Sequence, residues 1–245
     1  MTSPFLGKAA VYARYRIPYP PEAVAAVVRV GGLTGAEVVA DLGSGTGLLA
    51  GALRAHARVV FGVEPAEDMR RAAEEALGDD ERFRSVAGSG EETTLADHSI
   101  DVITCANSFH YFDPSRARAE ARRILRAGGR VVLLFNDAPG THSPFMDGYL
   151  AFLRTITPPQ LSSTHAADEH QSRVDTFFAG AATSVVRGEQ EVLLDWEHLR
   201  GLFLSTSMAP ADGDTSSLQA IFDAHQHPGR IAYRLSWTCL GGEIN

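Results

Sequence analysis

Short, nearly continuous runs of apolar residues recur along residues 38–137, and segments with helical periodicity separate them. The apolar runs predict strands over Val38–Leu42, Arg58–Glu64, Arg82–Gly88, Ile100–Asn107 and Gly129–Asp137. The intervening segments predict helices over Gly47–His56, over Ala66–Leu77, and from Pro114 to the pair Gly128 and Gly129. Apolar strands alternate with helices when a parallel sheet is covered on both faces. The pattern therefore predicts an α/β fold with a doubly wound, mostly parallel sheet.

The alternation stops after residue 137. Residues 138–148 have a loop-like composition, an amphipathic stretch covers Tyr149–Ile156, and the sequence TPPQLSST separates it from a helix over Ala166–Phe178. Strand character returns near Thr183 and is followed by predicted helices over Trp196–Ser205 and Ser216–His225 and a last strand over Arg230–Gly242. We expect residues 138–182 to form a helical cap insertion and the two late strands to complete the sheet.

The composition limits which binding partners and which cellular compartment are expected. The formal net charge of −8 disfavours a nucleic acid or an anionic membrane as partner. Cys105 and Cys239 lie in strand-like apolar runs, so we expect buried free thiols rather than a disulfide. No apolar run approaches the roughly 18–20 residues of a membrane span, and we expect no signal peptide. Lys8, near the N-terminus, is the one lysine, which argues against a Schiff-base mechanism. These features predict a cytoplasmic protein.

The segment VVADLGSGTGLLA places three glycines, Gly43, Gly45 and Gly47, directly after a buried strand. Such a turn lets ligand atoms approach backbone N–H groups at the carboxyl edge of a sheet. A dinucleotide-binding loop has a third glycine where this chain has Leu48, and a phosphate-binding P-loop needs a lysine that is absent here. A plain tight turn is the structural alternative.

An acidic residue, Glu64, ends the second predicted strand. A carboxylate at this position can accept hydrogen bonds from both ribose hydroxyls of an adenosine. Acidic residues are common at strand ends, so Glu64 alone is a weak signal. Together with the glycine loop it predicts a ligand that contains adenosine.

The motifs DLGSGTG and VEP, with Met69 five residues beyond the acid, resemble the first two motifs of class I S-adenosylmethionine-dependent methyltransferases. The segments GSGEETTLADHSIDVITCANSFHYFD and ARYRIPYPPE are similar to those of the small-molecule "methyltransferase type 11" group. The resemblance covers most of the chain outside residues 138–182 and implies S-adenosylmethionine as cofactor. It also implies a Rossmann-like methyltransferase fold whose seven-stranded sheet has a late antiparallel strand. We expect N-terminal lid helices over residues 1–36, a cofactor-binding core over 37–137, the cap over 138–182, and sheet-completing elements over 183–245.

The resemblance also implies which residues contact the cofactor. The three glycines would face its methionine part and ribose, Glu64 its ribose hydroxyls and Met69 its adenine. The remaining candidates are Ser89, Gly90 and Glu91 at the edge of the base, Asn107 beside the methionine, and Tyr12 and Arg16 closing over the cofactor, with Arg16 pairing its carboxylate. Two positions depart from the family pattern: Gly90 replaces the usual alanine, and RIPYP replaces Arg-Pro-x-Tyr-Pro.

His110, just past the fourth strand, is the candidate catalytic residue. A hydroxyl or amine acceptor would lose its proton to a base, and we expect His110 to have a pKa near neutrality suited to that role. The alternative is a packing role in an aromatic cluster. A carboxylate acceptor would need cationic clamps instead, for which Arg154, Arg173 and Arg187 are candidates. His225 and His227 lack further ligands, so no metal site is expected.

Three functions therefore stay open at this point. The first is methyl transfer to a small-molecule acceptor. The second is a nicotinamide-dependent oxidoreductase, which Leu48 disfavours. The third is a module that binds S-adenosylmethionine without catalysis. The sequence does not indicate an oligomeric state.

Overall fold

The computed structural model describes residues 7–137, 143–156, 163–210 and 213–244. The strands are β1 (Val38–Leu42), β2 (Val59–Glu64), β3 (Phe83–Ala87), β4 (Ile100–Ala106), β5 (Leu125–Asp137), β6 (Ser184–Leu194) and β7 (Ile231–Glu243). The helices are α1 (Ala9–Tyr15), α2 (Pro21–Gly31), α3 (Leu48–Leu53), α4 (Glu67–Leu77), α5 (Pro114–Ile124), α6 (Pro144–Ile156), α7 (Ser163–Phe178), α8 (Trp196–Leu204) and α9 (Ser216–His225). Short 3-10 turns cover Arg54–His56 and Phe109–Tyr111.

The strands form one seven-stranded sheet in the order β3-β2-β1-β4-β5-β7-β6. The ladders that join β3, β2, β1, β4 and β5 are all parallel. The three strands β5, β7 and β6 are antiparallel to one another. The predicted α/β fold with a mostly parallel, seven-stranded sheet is therefore confirmed. Because β1 lies between β2 and β4, the carboxyl ends of these three strands meet at one edge of the sheet.

Alternate side chains of the central strand β1 enter two separate apolar clusters. Val38, Ala40 and Leu42 belong to one cluster, with residues of α5 and the end of α7. Val39 belongs to the other cluster, with residues of α2 and α3. Both faces of the sheet are therefore covered, as the apolar strands predicted. The two cysteines are buried free thiols, which confirms that prediction. Within the described ranges, no helix has the length and apolarity needed to cross a membrane.

The chain divides into two compact units. One, here called the sheet unit, comprises Pro18–Asn136, His170–Gly188 and Trp237–Asn245. The other, here called the helical unit, comprises Met1–Ile17, Asp137–Glu169 and Glu189–Ser236. The helical unit has an apolar cluster of its own, which includes Met146, Leu199 and Phe203. The two units interleave along the sequence, and the four-part division by sequence stays a prediction.

The helix predicted to run from Pro114 to the two glycines ends earlier, at Ile124, and β5 begins at Leu125 instead of Gly129. The register between β4 and β5 jumps from Ile100↔Leu125 to Val102↔Arg130. The extra residues of β5 form a bulge, in which Gly128 has a φ of +75°. The two glycines therefore accommodate a bulge within β5. The sequence had predicted that they end the preceding helix.

The segment 138–148 was expected to be a loop, but α6 already begins at Pro144. A proline at the first helical position lacks only an N–H that has no partner in the helix, so it suits this start. Phe145 and Met146 are buried in the apolar cluster of the helical unit, which explains the early start of the helix. The loop expected at 138–142 and most of the TPPQLSST interruption lie outside the described residues.

Candidate functional site

The three glycines of the loop between β1 and α3 all have positive φ, but their missing side chains face different surroundings. A Cβ on Gly43 would lie 2.5 Å from the Cβ of Ser108, and a Cβ on Gly47 would lie 2.6 Å from Leu77 Cδ1. A Cβ on Gly45 would meet nothing within 4 Å. Packing within the sheet unit therefore accounts for Gly43 and Gly47. Gly45 is the position at which the backbone faces open space.

Glu64 ends β2 beside this loop and is buried. Its Oε2 accepts a hydrogen bond from the N–H of Gly45 at 3.0 Å, and its Oε1 accepts one from the N–H of Ala66 at 2.9 Å. Burial raises the pKa of Glu64, and these two hydrogen bonds oppose the rise. Each carboxylate oxygen has a second lone pair, so the group can accept two further hydrogen bonds from a ligand.

Asp41, the acid that directly precedes the loop, is also buried. Its Oδ1 accepts a hydrogen bond from Thr104 Oγ1 at 2.7 Å, and the backbone N–H of Ala50 in α3 also donates to the carboxylate. Burial raises the pKa of Asp41 to about 7, against these hydrogen bonds, and the charge of Glu64 adds to the rise. Asp41 therefore joins β1, β4 and the start of α3. The sequence analysis gave it no role in the site.

The turn after β3 holds the next group of candidates. The N–H of Glu91 donates to Ser89 Oγ at 3.2 Å, and Glu91 Oε1 accepts from the N–H of Asp113, at the start of α5, at 2.8 Å. A Cβ on Gly90 would lie 2.7 Å from the ring of Phe112. Glycine in place of the usual alanine therefore makes room for this ring.

Phe112 brings two of the loops together. A Cβ on Gly43 would lie 3.4 Å from Phe112 Cζ, so the same ring borders the glycine loop and Gly90. Ser108, two residues after β4, donates from its Oγ to the carbonyl of Leu42 at 2.6 Å. The loops after β1, β3 and β4 therefore converge at one edge of the sheet, as the parallel order requires.

Asn107 follows β4 and has a φ of +53°, a left-handed conformation that asparagine adopts more readily than most residues. Its Nδ2 donates to the Tyr19 hydroxyl at 3.0 Å, and its Oδ1 accepts from the N–H of Asn136 at 2.8 Å. These bonds tie the end of β4 to the end of β5 and to the segment before α2. Asn107 therefore has a structural role in addition to the cofactor contact expected of it.

Residues 40–133 match the family model of a methyltransferase domain. An uncharacterized methyltransferase of Mycobacterium tuberculosis is 35% identical over 136 residues, which cover 56% of this chain and 53% of that relative. The structure of a protein from Anaeromyxobacter dehalogenans, provisionally assigned as a type II methyltransferase, is 21% identical, with a TM-score of 0.69 over 94% of this chain and 98% of that one. Phosphoethanolamine N-methyltransferase 2 of Haemonchus contortus, in complex with phosphomonomethylethanolamine and S-adenosylhomocysteine, is 14% identical, with a TM-score of 0.57 over 100% of this chain and 60% of that one.

The chain has the fold of the class I S-adenosylmethionine-dependent methyltransferases, and its residues 40–133 match the methyltransferase-domain family. S-adenosylmethionine is the cofactor that this family implies. The chain spans about half the length of its M. tuberculosis relative, at 53%.

His110 lies in the 3-10 turn Phe109–Tyr111, at the sheet edge where the glycine loop lies. The residue is exposed, and its ring centroid lies 4.0 Å from that of Tyr111. Desolvation by the surrounding atoms, together with the charges of His170 and Arg173 on α7, lowers the pKa of His110 to about 4. This value lies below the near-neutral pKa expected of His110, and its role as a base stays a prediction. At neutral pH the imidazole is uncharged and weakly basic.

Residues of α7, which the sequence predicted to belong to the cap insertion, lie at this turn. The Arg173 Nη2 donates to the carbonyl of Phe112. The ring of His170 meets that of Phe135 edge-on, with centroids 4.2 Å apart. Sequence reasoning considered Arg173 as one cation among many and did not consider His170 at all. No local signal could have linked α7 to the turn after β4, because the two lie about 60 residues apart in the sequence.

The remaining candidates differ in position. Met69 is buried in the first turn of α4, and its contact with adenine stays a prediction. Tyr12 and Arg16 belong to the helical unit, and their part in cofactor binding also stays a prediction. Among the described residues, no three His, Cys, Asp or Glu side chains are grouped so that they could hold a metal ion.

Proposed function

We propose that the protein transfers the methyl group of S-adenosylmethionine to a small-molecule acceptor. The observation that carries this proposal is the pairing of Gly45 with Glu64. An open backbone position and a buried carboxylate adjoin at the carboxyl edge of a parallel sheet. A carboxylate there suits the two ribose hydroxyls of an adenosine.

The residues around the glycine loop fit this cofactor. The hydroxyl of Thr46 is buried and has no hydrogen-bond partner among the described residues. A buried hydroxyl without a partner is unfavourable, and a polar ligand would relieve this cost. Gly45 offers space for the ligand, and Glu64 offers free lone pairs. Ser89, Gly90 and Glu91 border the same edge and would contact the base.

When bound, S-adenosylmethionine supplies a methyl group on a positively charged sulfur, which leaves as a thioether. The chain must hold the acceptor in line with that methyl group and exclude water. His110 is uncharged at neutral pH, so its ring can accept a hydrogen bond from an acceptor hydroxyl or amine. Its low pKa makes it a weak general base, so we assign it chiefly an orienting role.

The acceptor class and the compartment belong to the same proposal. A net charge of −8 supports a small molecule rather than a nucleic acid or an anionic membrane surface. The buried free thiols Cys105 and Cys239 support a cytoplasmic location. Three side chains are candidates for binding the acceptor. His110 lies in the turn after β4, and the charges of His170 and Arg173 act on it.

The proposal is tested first by isothermal titration calorimetry with S-adenosylhomocysteine and, in parallel, with NAD. We expect S-adenosylhomocysteine to bind and NAD not to bind, because Leu48 stands where a dinucleotide loop needs glycine. The reverse result would identify an oxidoreductase. The protein is then incubated with S-adenosylmethionine and a metabolite extract, and products heavier by one methylene are sought by mass spectrometry. Cofactor binding without any such product would favour the non-catalytic module.

A further inference from the structure

Glu120 of α5 is a buried acid of the sheet unit that the proposed function leaves without a role. Its Oε1 accepts hydrogen bonds from the backbone N–H of Thr93 at 2.7 Å and from the Thr93 hydroxyl. Arg123, one turn further along α5, donates from Nη2 to Oε1 and from Nε to Oε2, both at 2.7 Å. Desolvation raises the pKa of Glu120, but the hydrogen bonds from Arg123 and Thr93 lower it to about 2. The acid is therefore charged at neutral pH.

Thr93 directly follows residues 89–92, here called the base turn. Within this turn the N–H of Ser89 donates to the carbonyl of Glu92 at 2.9 Å. The N–H groups of Glu91 and Glu92 both donate to Ser89 Oγ at 3.2 Å. Thr93 is fully buried, whereas Glu92 is exposed. Because the base turn is closed by its own hydrogen bonds, we expect it to shift as a unit when Thr93 shifts.

The same helix holds the base turn at a second point. Glu91 Oε1 accepts a hydrogen bond from the N–H of Asp113 at 2.8 Å. Asp113 is the N-cap of α5, and its side chain accepts from the N–H of Arg116 at 2.9 Å. Glu120 lies about two helical turns beyond Asp113, which is roughly 10 Å along the axis. Two attachments this far apart fix the orientation of the base turn as well as its place.

The base turn offers an acceptor for an amino group. The carboxylate of Glu91 has lone pairs beyond the one that Asp113 uses. Adenine carries a 6-amino group that donates hydrogen bonds, whereas hypoxanthine carries a carbonyl oxygen at that position. A site built to accept a hydrogen bond from one group rejects an analogue that lacks it, provided that the site is held in place.

We propose that Glu120 is a positioning residue for the base of the cofactor: through Thr93 it holds the base turn in the place that favours adenine. The inference rests on the proposed binding of S-adenosylmethionine, in which the base turn contacts the base. An ion pair between Glu120 and Arg123 would stabilise α5 without any contribution from Thr93. The two hydrogen bonds from Thr93 are what connect this ion pair to the base turn.

The probes are S-adenosylhomocysteine and S-inosylhomocysteine, in which a carbonyl oxygen replaces the 6-amino group, and calorimetry measures both affinities. Glu120→Gln removes the charge and keeps the size of the side chain. Thr93→Val removes the hydroxyl, and Thr93→Ser keeps it. Glu92→Gln is the matched control, because Glu92 is an exposed acid next to Thr93. Thermal melts establish that each variant is folded. If Glu120→Gln does not fold, the two Thr93 variants decide the outcome.

We expect wild-type protein to bind S-adenosylhomocysteine at least about tenfold more tightly than S-inosylhomocysteine. Glu120→Gln and Thr93→Val should lower this ratio at least about threefold. Thr93→Ser and Glu92→Gln should leave the ratio unchanged. A residue that only stabilises the fold would lower the melting temperature and leave the ratio as in wild-type protein, and that result would overturn the inference.

Amide hydrogen exchange of the free protein gives a readout that does not depend on a ligand. In Glu120→Gln, exchange in residues 89–93 should accelerate more than exchange in α4, because the loosening is local. Equal acceleration in both segments would contradict a positioning role.

The titrations also separate this inference from the proposed function. If wild-type protein prefers S-adenosylhomocysteine and Glu120→Gln keeps that preference, only the positioning role fails. If wild-type protein binds both probes equally, the base turn does not read the base, and the inference is overturned while cofactor binding stands. If wild-type protein binds neither probe, the proposed function fails and the inference fails with it.

Discussion

The carboxylate of Glu64 accepts a hydrogen bond from the backbone N–H of Gly45 at 3.0 Å. This bond joins the end of β2 to the one glycine of the loop whose missing side chain faces open space. The acid therefore both shapes the loop and keeps acceptor capacity for a ligand. The two residues form the smallest part of the site from which cofactor binding can be argued.

Replacing Glu64 by alanine should weaken the binding of S-adenosylhomocysteine by more than tenfold. Each hydrogen bond to a charged group contributes about 1.5–3 kcal/mol, and tenfold in affinity corresponds to about 1.4 kcal/mol. Calorimetric titration measures the affinity, and circular dichroism establishes that the variant is folded. Glu67→Ala is the matched control, because Glu67 is an exposed acid in the first turn of the next helix. An unchanged dissociation constant for the Glu64 variant would refute its role at the ribose.

The order of elements and the edge where the site lies follow from the apolar pattern, because a parallel sheet needs apolar strands and covering helices. The loop at Gly45 and the acid Glu64 could also be predicted from the sequence, because both belong to the same βαβ unit. The bulge at Gly128 could not be predicted from the sequence. A glycine pair looks the same in sequence whether it ends a helix or bends a strand, and the pairing of β5 with β4 decides between them.

The surroundings of His110 were out of reach for a different reason. Its residue type and its position after a strand indicated a place at the sheet edge, but its pKa depends on atoms contributed by α7. His170 and Arg173 reach this turn through tertiary packing, which periodicity does not encode. Similarly, the reason for glycine at position 90 became clear only from the position of the Phe112 ring.

Alanine substitutions at Gly45 and Gly47 should separate ligand binding from stability. Both positions have positive φ, so both variants carry a backbone strain of roughly 1–2 kcal/mol. Gly47→Ala also forces a Cβ against Leu77 at 2.6 Å, so its melting temperature should fall further. Gly45→Ala should lower the affinity for S-adenosylhomocysteine, because its Cβ enters the open space beside Glu64. Gly32→Ala is the control for strain alone, because its φ is +69° and a Cβ there meets nothing within 4 Å. Affinity losses equal to that of the control would contradict a ligand-facing Gly45.

Gly90→Ala should destabilise the protein, because the added Cβ would lie 2.7 Å from the Phe112 ring. Overpacking of this kind costs roughly 1–3 kcal/mol. Phe112→Leu removes the ring, so the double variant should lose less stability than the sum of the two single variants. Chemical denaturation of all four proteins gives the coupling free energy, expected at about 0.5–3 kcal/mol. Strict additivity would show that Phe112 is not what excludes a side chain at position 90.

Asp41 should make the free protein less stable as the pH rises from about 4 to about 7. Its folded-state pKa of about 7 lies above the ordinary value of 3.8, so between these values the folded protein holds a proton that the unfolded chain releases. The free energy of unfolding therefore falls as the pH rises from about 4 to about 7. Asp41→Asn should flatten this dependence, leaving the part due to Glu64, whose pKa is shifted in the same direction. Denaturation curves at several pH values measure it. A dependence of the same slope in the variant would show that Asp41 is ionised throughout.

His110 should give the opposite pH dependence. Its folded-state pKa of about 4 lies below the ordinary value of 6.5, so between these values the unfolded chain holds a proton that the folded protein lacks. The free energy of unfolding should therefore fall as the pH falls from about 6.5 to about 4. In the His110→Gln variant it should fall less over the same range. Titration of the ring by NMR measures the pKa directly. Arg173→Gln should raise the pKa of His110 only part of the way to 6.5, because desolvation is the larger cause of the shift. Methyl transfer should show no loss from protonation of His110 above about pH 5, where the ring is still neutral. If instead the ring titrates near pH 6.5 and the rate falls with it, His110 is a general base of ordinary strength and the orienting role is wrong.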